Sequence, residues 1–358
     1  MPAIPASGAI SLSDFAAEFG GTAPHSMSEY YRDGGNVPSN NTNVPTSGLF
    51  RFSNMRGAIN AIIQTLSNTT NVDLSTVFGS DWASSVPKEV IIPSGVTIGG
   101  TGSSDALTAP SGMGGTLTIT NAGSVIGFGG TSGGNGGNAI RIASTGVTVD
   151  NTGLIAGGGG GGGIGGAGGT GGEGGISLYT YVGCHAYATC SSSGCNCSKC
   201  GGNVCLTGCS ESQVPFMDGT RTVAQTICGQ RAYGGAGGAG GSGGSGGVGQ
   251  GYNQSATTGS AGSSGSAGAS GSTVNGATGG SGGTGGSGGS GGTGASYGQS
   301  GSSGTSGSTG SSGANGTYTN GSAGSAGSSG NAGGAAGAAV IYTAAYTMNN
   351  TGTLAGAA

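Results

Sequence analysis

The chain has 358 residues, of which 92 are glycine, with only 6% charged and 5% aromatic residues and a formal net charge of −4. That composition excludes a conventional apolar core along the whole length and a basic surface for nucleic acid. It also contains no apolar run long enough to make a bilayer-spanning helix.

The first segment carries an internal repeat at an offset of 40 residues: PASGAISLSDF from Pro5 matches PTSGLFRFSNM from Pro45. In each copy Ser13/Asp14 or Ser53/Asn54 is placed to cap a short helix after a brief strand. Tyr30-Tyr31-Arg32-Asp33 reads as a turn-rich surface joint. Ile59, Ile62, Ile63 and Leu66 recur at helical spacing, which predicts a helix. Residues 1–88 are read as one small α+β module.

Residues 89–156 change to short strands, Val90-Ile91-Ile92, Val96-Thr97-Ile98, Leu117-Thr118-Ile119 and Val147-Thr148-Val149. A second repeat, N-x-G-x-(V/I/L)-x-G, begins at Asn121, Asn151 and Asn350. Asn-x-Gly suits a tight turn and the apolar fifth position suits burial. Two copies feed glycine runs and the third closes the chain in residues 338–358. Matching strands at both ends of the glycine region predict one closed unit.

Between them, residues 157–337 return to glycine on a three-residue beat without a proline after Pro215. Three residues per turn is the period of the polyproline II helix, and the lack of proline argues against a collagen triple helix. The expected architecture is a bundle of polyglycine II helices hydrogen-bonded side to side, because glycine permits close backbone approach. Six runs are seen, 157–175, 234–249, 259–272, 279–294, 298–316 and 321–337. A run such as Gly234–Gly249 would be roughly 50 Å long at ~3.1 Å per residue. The GGX runs 157–175, 234–249 and 279–294 leave two bare faces and are expected at the centre, with 259–272 and 298–316 at the periphery. Up-down alternation and the closing strand repeat are read as conflicting over where residue 337 lies.

The insert 176–233 holds all eight cysteines, Cys184, Cys190, Cys195, Cys197, Cys200, Cys205, Cys209 and Cys228. An even number in a span poor in apolar residues reads as a disulfide-stapled miniature domain. A zinc site through Cys195, Cys197, Cys200 and His185 is the rival, weakened by the absence of a second separated CxxC pair. No metal site is assigned. Tyr233, Tyr252, Tyr297 and Tyr318 fall at breaks between runs, hence at the ends of the bundle, either lidding it or serving as contact anchors. Tyr181 and Tyr187 add candidates on the insert, with Tyr179, Phe216 and Met217 beside them. An enzyme has little support: only His25 and His185 exist, no phosphate-binding GxxxxGK(S/T) occurs, and GxGxxG matches are trivial among so many glycines. No catalytic residue and no cofactor are expected.

The combination of NTGLIAG, the run GGGGGGGIGGAGGTGGEGG, Tyr-bearing breaks and the final NNTGTLAGA resembles the glycine-rich tip adhesins of T-even-type phage long tail fibres over roughly residues 115–358. The opening PASGAISLSDF…GLFRFSNMRGA is similar to a short module at the start of many phage virion proteins. The Cys-rich insert is not part of the usual adhesin pattern. The resemblance implies a sandwich of polyglycine II helices whose loops bind a bacterial outer-membrane protein or surface glycan. It further implies attachment to other tail or fibre proteins through 1–88, several copies per particle, and a place on the virion after assembly in the host cytoplasm. No secretory leader is visible in MPAIPASGAISLSD, which fits release by lysis. A receptor-binding adhesin is therefore expected, with exchange of 251–258, 295–297 and 317–320 changing host range. A structural appendage or spacer is the alternative, and an ice- or surface-binding glycine bundle a third reading.

Overall fold

A computed structural model describes residues 4–181, 190–191, 194–195, 205–216, 219–274 and 276–357, with the backbone alone over 179–230. Most of the described chain is strand or extended backbone, with few helices.

The N-terminal segment has its own core of Ile4, Phe15, Phe19, Tyr30, Val37, Val44, Met55 and Ala58. Helix α1 (Leu12–Phe19) buries Phe15 and Phe19 and starts at Ser11. There Asp14 Oδ2 accepts from the Ser11 N–H at 2.7 Å, closing a capping box. The repeat reproduces that device forty residues on, where Asn54 Oδ1 accepts from the Arg51 N–H at 2.8 Å. The second copy forms only a 3₁₀ turn, Phe52–Met55. The caps are thus two or three residues earlier than the expected Ser13/Asp14 and Ser53/Asn54, and among the described residues no strand precedes either turn. Tyr30 is a core residue rather than part of a surface joint. Its hydroxyl donates to Gly20 O at 2.9 Å, and burial pushes its pKa up.

From Ile62 a second core begins, built on three parallel ladders. The chain winds through them as a solenoid. The first turn is β1 (Ile62–Thr65), β2 (Thr69–Thr70) and β3 (Val72–Asp73), followed by the short helix α2 (Leu74–Phe78). The second is β4 (Lys88–Ile92), β5 (Thr97–Gly99) and β6 (Leu107–Ala109), and the third β7 (Leu117–Asn121), β8 (Ser124–Ile126) and β9 (Ile140–Ile142). The fourth begins with β10 (Val147–Asn151) and β11 (Leu154–Ala156). Alternating burial in β4, β7 and β10 sends Val90, Ile92, Leu117, Ile119, Val147 and Val149 inward. The helix expected over Ile59–Leu66 is therefore strand β1. Its pairing with β4 and the inward Ile62 outweigh a helical spacing that spans only two turns. The two cores divide between Ala58 and Ile62, not at residue 88.

Lys88 is wholly buried at the start of β4, a position the sequence reading passed over. Its ammonium donates to Ser84 O (2.8 Å), Val86 O (3.0 Å) and Gly114 O (2.9 Å). Burial pushes its pKa below the ordinary lysine value, with Asp81 pulling the other way. Lys88→Met keeps the apolar stem and orphans three carbonyls, so a loss of about 3 kcal/mol is expected in denaturant unfolding.

The backbone strands of the cysteine-bearing excursion are β12 (Ser177–Tyr181), β13 (Cys190–Ser191), β14 (Gly194–Cys195), β15 (Cys205–Phe216) and β16 (Gly219–Ala232). A small hairpin, β17 (Thr273–Val274) and β18 (Ala277–Thr278), follows. The chain then returns as β19 (Val340–Tyr342), β20 (Tyr346–Asn350) and β21 (Thr353–Ala355). β19 lies beside β9 and supplies the third side of the fourth turn, while β20 and β21 stack on β10 and β11 as a fifth. The N-x-G repeat marks one corner of successive turns. Asn121 Nδ2 donates to Asn151 Oδ1 and Asn151 Nδ2 to Asn350 Oδ1, each at 2.7 Å. Val125 and Ile155, the fifth positions, are buried.

The whole segment 157–339 is thus an expansion of one solenoid corner. Its six glycine runs, called runs 1 to 6 in chain order, are joined by backbone hydrogen bonds of 2.7–3.0 Å repeating every third residue. Run 1 (157–175) bonds to runs 2, 4, 5 and 6; run 4 (279–294) bonds to runs 1, 2, 3 and 5. Runs 2, 1 and 6 form one layer and runs 3, 4 and 5 the other. Only runs 1 and 4 are central. Run 2 (234–249), expected at the centre, lies at the edge of its layer, where its Ala, Ser and Val positions face out. Run 5 (298–316), expected at the periphery, is the opposite edge and bonds to three others. Alternating directions over an even number of runs bring residue 337 back beside residue 157, so the conflict read in the sequence does not exist.

The backbone N–H of the third residue in each GGX triplet would be left over by this scheme. Across from it stands the residue that follows glycine in a GXX run, commonly Ser or Thr. Ser322, Ser325 and Ser328 accept from the N–H of Glu173, Thr170 and Ala167 at 2.7–2.8 Å. Ser260 and Ser263 serve Ser245 and Ser242, and Ser302, Thr305 and Ser308 serve Thr293, Ser290 and Ser287. Serine and threonine are therefore part of the lattice rather than filler.

Candidate functional site

The array has two unlike ends. At the base, the breaks 250–256 and 295–298 turn against the solenoid. Tyr252 N–H donates to Gly127 O at 3.1 Å, and the Tyr252 ring lies so close over Gly99 in β5 that a Cβ there would overlap it. Tyr252 and Tyr297 are both half-buried beside Asn68, Thr97 and Ile126. These two tyrosines dock the array onto its support and do not project from its free end.

The far end gathers the start of the excursion, Ile176–Leu178, its return at Arg231–Tyr233, the β17–β18 hairpin and the turn 317–320. Tyr318 N–H donates to Ile176 O at 2.9 Å, and Ile176 N–H to Thr319 Oγ1 at 2.7 Å, which fixes the turn on run 1. Ser272 Oγ accepts from the Tyr233 N–H at 2.7 Å, which fixes Tyr233 on run 3. With their backbones held, both rings stand out: Tyr233 is 58% and Tyr318 51% exposed. Arg231 Cζ lies 6.0 Å from the Tyr318 ring centroid, a cation–π arrangement. Of the six tyrosines singled out by the sequence, Tyr233 and Tyr318 are brought to this end and Tyr252 and Tyr297 to the opposite one. The side chains of Tyr181 and Tyr187, and of the eight cysteines proposed as disulfides, lie outside the described residues. Arg231 was missed by the sequence reading. Its signal was the spacing of Arg231 and Tyr233 on one strand end, where alternate residues share a face.

The chain thus builds a β-solenoid, expands one corner into a laterally bonded glycine array and exposes two aromatics at the far end of that array. The family model of the phage tail fibre adhesin Gp38 matches residues 59–267, more than half of the chain. The chain belongs to that family of phage tail fibre adhesins. Among solved structures, the gp37-gp38 adhesin tip complex of the bacteriophage S16 long tail fibre aligns at 16% identity over 98% of this chain and 99% of that chain, with a TM-score of 0.38. No curated protein matches.

Proposed function

We propose that this adhesin binds the host surface through the far end of the array, with Tyr233, Tyr318 and Arg231 as contact residues and the insert carrying Tyr181 and Tyr187 beside them. The runs are read as polyglycine II helices forming a rigid sandwich that holds these groups away from the particle. One observation carries the reading: two large aromatics are exposed on hydrogen-bonded, immobilised turns at the end remote from the solenoid. Rigid tyrosines lose little conformational entropy on binding, which suits them as anchors. Residues 1–88 are proposed as the virion-side segment, because they hold the separate core of Ile4 to Ala58 and the first solenoid turn, whereas the array leaves from the fourth. The partner there is another tail or fibre protein, and the target is an outer-membrane protein or surface glycan. Several copies per particle would multiply weak individual contacts.

The test is binding of the purified full-length protein to intact cells of the propagating strain, with competition against phage adsorption. Saturable binding that blocks adsorption is expected. The double substitution Tyr233→Ala/Tyr318→Ala should weaken binding at least tenfold with unchanged thermal unfolding. A folded protein that neither binds cells nor competes would point to a spacer.

A further inference from the structure

An open cleft lies where the base of the array meets the solenoid. It has a volume of about 400 Å³ and is lined by Asn68, Thr97, Ile126, Tyr252, Asn253 and Tyr297, together with Gly95. Among the described residues, no charged side chain lines it. The solenoid contributes one wall, through Asn68 after β1, Thr97 of β5 and Ile126 of β8. The array contributes the other, through the breaks 250–256 and 295–298.

Four polar groups in this cleft make no hydrogen bond among the described residues. Asn68 uses Oδ1 to accept from the Thr97 N–H at 2.7 Å, which leaves its Nδ2 donors unused. The Asn253 amide and the hydroxyls of Tyr252 and Tyr297 have no partner either. Asn253 is also held at φ +53°, a left-handed conformation at a non-glycine residue. Asparagine adopts this conformation readily in tight turns, and here the turn Gly251–Gln254 places the exposed Asn253 in the cleft lining. Two tyrosine rings, the partly buried side chain of Ile126 and a set of amide and hydroxyl groups without formal charge match one ligand chemistry. Sugar C–H faces stack on aromatic rings, sugar hydroxyls pair with amides and phenols, and an uncharged site disfavours carboxylated or phosphorylated units.

We propose that the junction cleft is a binding site for a neutral hexose unit of a polysaccharide, separate from the contact residues at the far end. Its position on the flank would let the adhesin hold a surface glycan side-on while the far end searches for its target.

The experiment is saturation-transfer NMR and calorimetric titration of the full-length protein with four neutral probes, maltotriose, cellotriose, mannotriose and chitotriose, and with trigalacturonic acid as a charged control. At least one neutral probe is expected to bind with a millimolar dissociation constant and the charged control at least tenfold more weakly. Asn253→Gly keeps the left-handed turn, and Tyr297→Phe keeps the ring. Together they should weaken binding tenfold or more at unchanged thermal unfolding. Tyr233→Ala/Tyr318→Ala should leave probe binding intact, which separates this site from the far-end reading. Failure of all four neutral probes to bind the folded protein overturns the proposal. So does binding that is indifferent to Asn253→Gly/Tyr297→Phe or abolished by the far-end pair.

Discussion

Gly162→Ala is expected to prevent the glycine array from assembling. A Cβ at Gly162 would sit inside the carbonyl group of Gly292 on run 4, and the obstacle is backbone rather than a flexible side-chain end. Moving run 4 aside breaks its bonds to run 1, including Gly292 N–H to Gly163 O at 2.7 Å. Because run 4 also bonds to runs 2, 3 and 5, the displacement spreads through both layers. Elsewhere Gly→Ala stabilises by limiting the unfolded chain, by about 0.4–1 kcal/mol, but only where the folded site can accept the methyl group. Here overpacking against immobile backbone dominates, and a loss of about 3 kcal/mol is expected. Limited proteolysis should cut the 234–337 segment in the variant and spare it in the parent. Ser264→Ala on the exposed flank of run 3 is the control, with no change expected. An alanine variant with unchanged melting and protease resistance would refute the packing account.

The second large effect is a deletion that leaves a folded protein. The corner 127–139 of the third solenoid turn and the segment 157–339 of the fourth join equivalent positions. Ile126 pairs with Ala156 at one end, and Ile140 with Val340 at the other. Replacing 157–339 by a copy of 127–139 should therefore preserve β10, β11 and β19 to β21 in register. Gly127 N–H to Ala156 O and Gly130 N–H to Gly159 O show that the shorter corner already runs alongside the beginning of run 1. The shortened protein should unfold cooperatively and retain the strand signal of the solenoid by circular dichroism, while losing all binding to host cells. A shortened chain that is unfolded would mean that the array supports the solenoid rather than the reverse.

The sequence carried much of this design in its periodicities. The three-residue beat implied lateral bonding because glycine leaves donors and acceptors accessible on every side. The N-x-G repeat was read as a tight turn with a buried fifth position, and the short strands at Val90, Leu117 and Val147 were found where expected. The solenoid itself was not recognised, because its third strands, β3, β6 and β9, are two or three residues long and separated by corners of variable length. Strand β1 was misread since Ile59, Ile62, Ile63 and Leu66 satisfy helical spacing, and only the partner β4 decides against it. The separation of the tyrosines into two ends followed from the direction of each run. Up-down alternation of the runs decides that direction, and it was available in the sequence. The cleft at the base was not legible, since it joins Asn68 and Thr97 to residues far along the chain at 252, 253 and 297.

The return of the chain to the corner it left has a mechanical consequence. A pull applied at the far end reaches the solenoid through two covalent stems, at Ala156–Gly157 and Ala338–Ala339, set beside each other by the Gly337 N–H to Gly158 O bond of 2.8 Å. The lateral bonds of the array lie across the direction of that pull, so they resist sliding collectively instead of opening one after another. Each stem then passes directly into a strand or its flank, β11 on one side and β19 on the other, each paired along its length with the preceding turn. With the far end as the proposed contact with the cell, a load between particle and cell would be carried in shear across these lateral bonds.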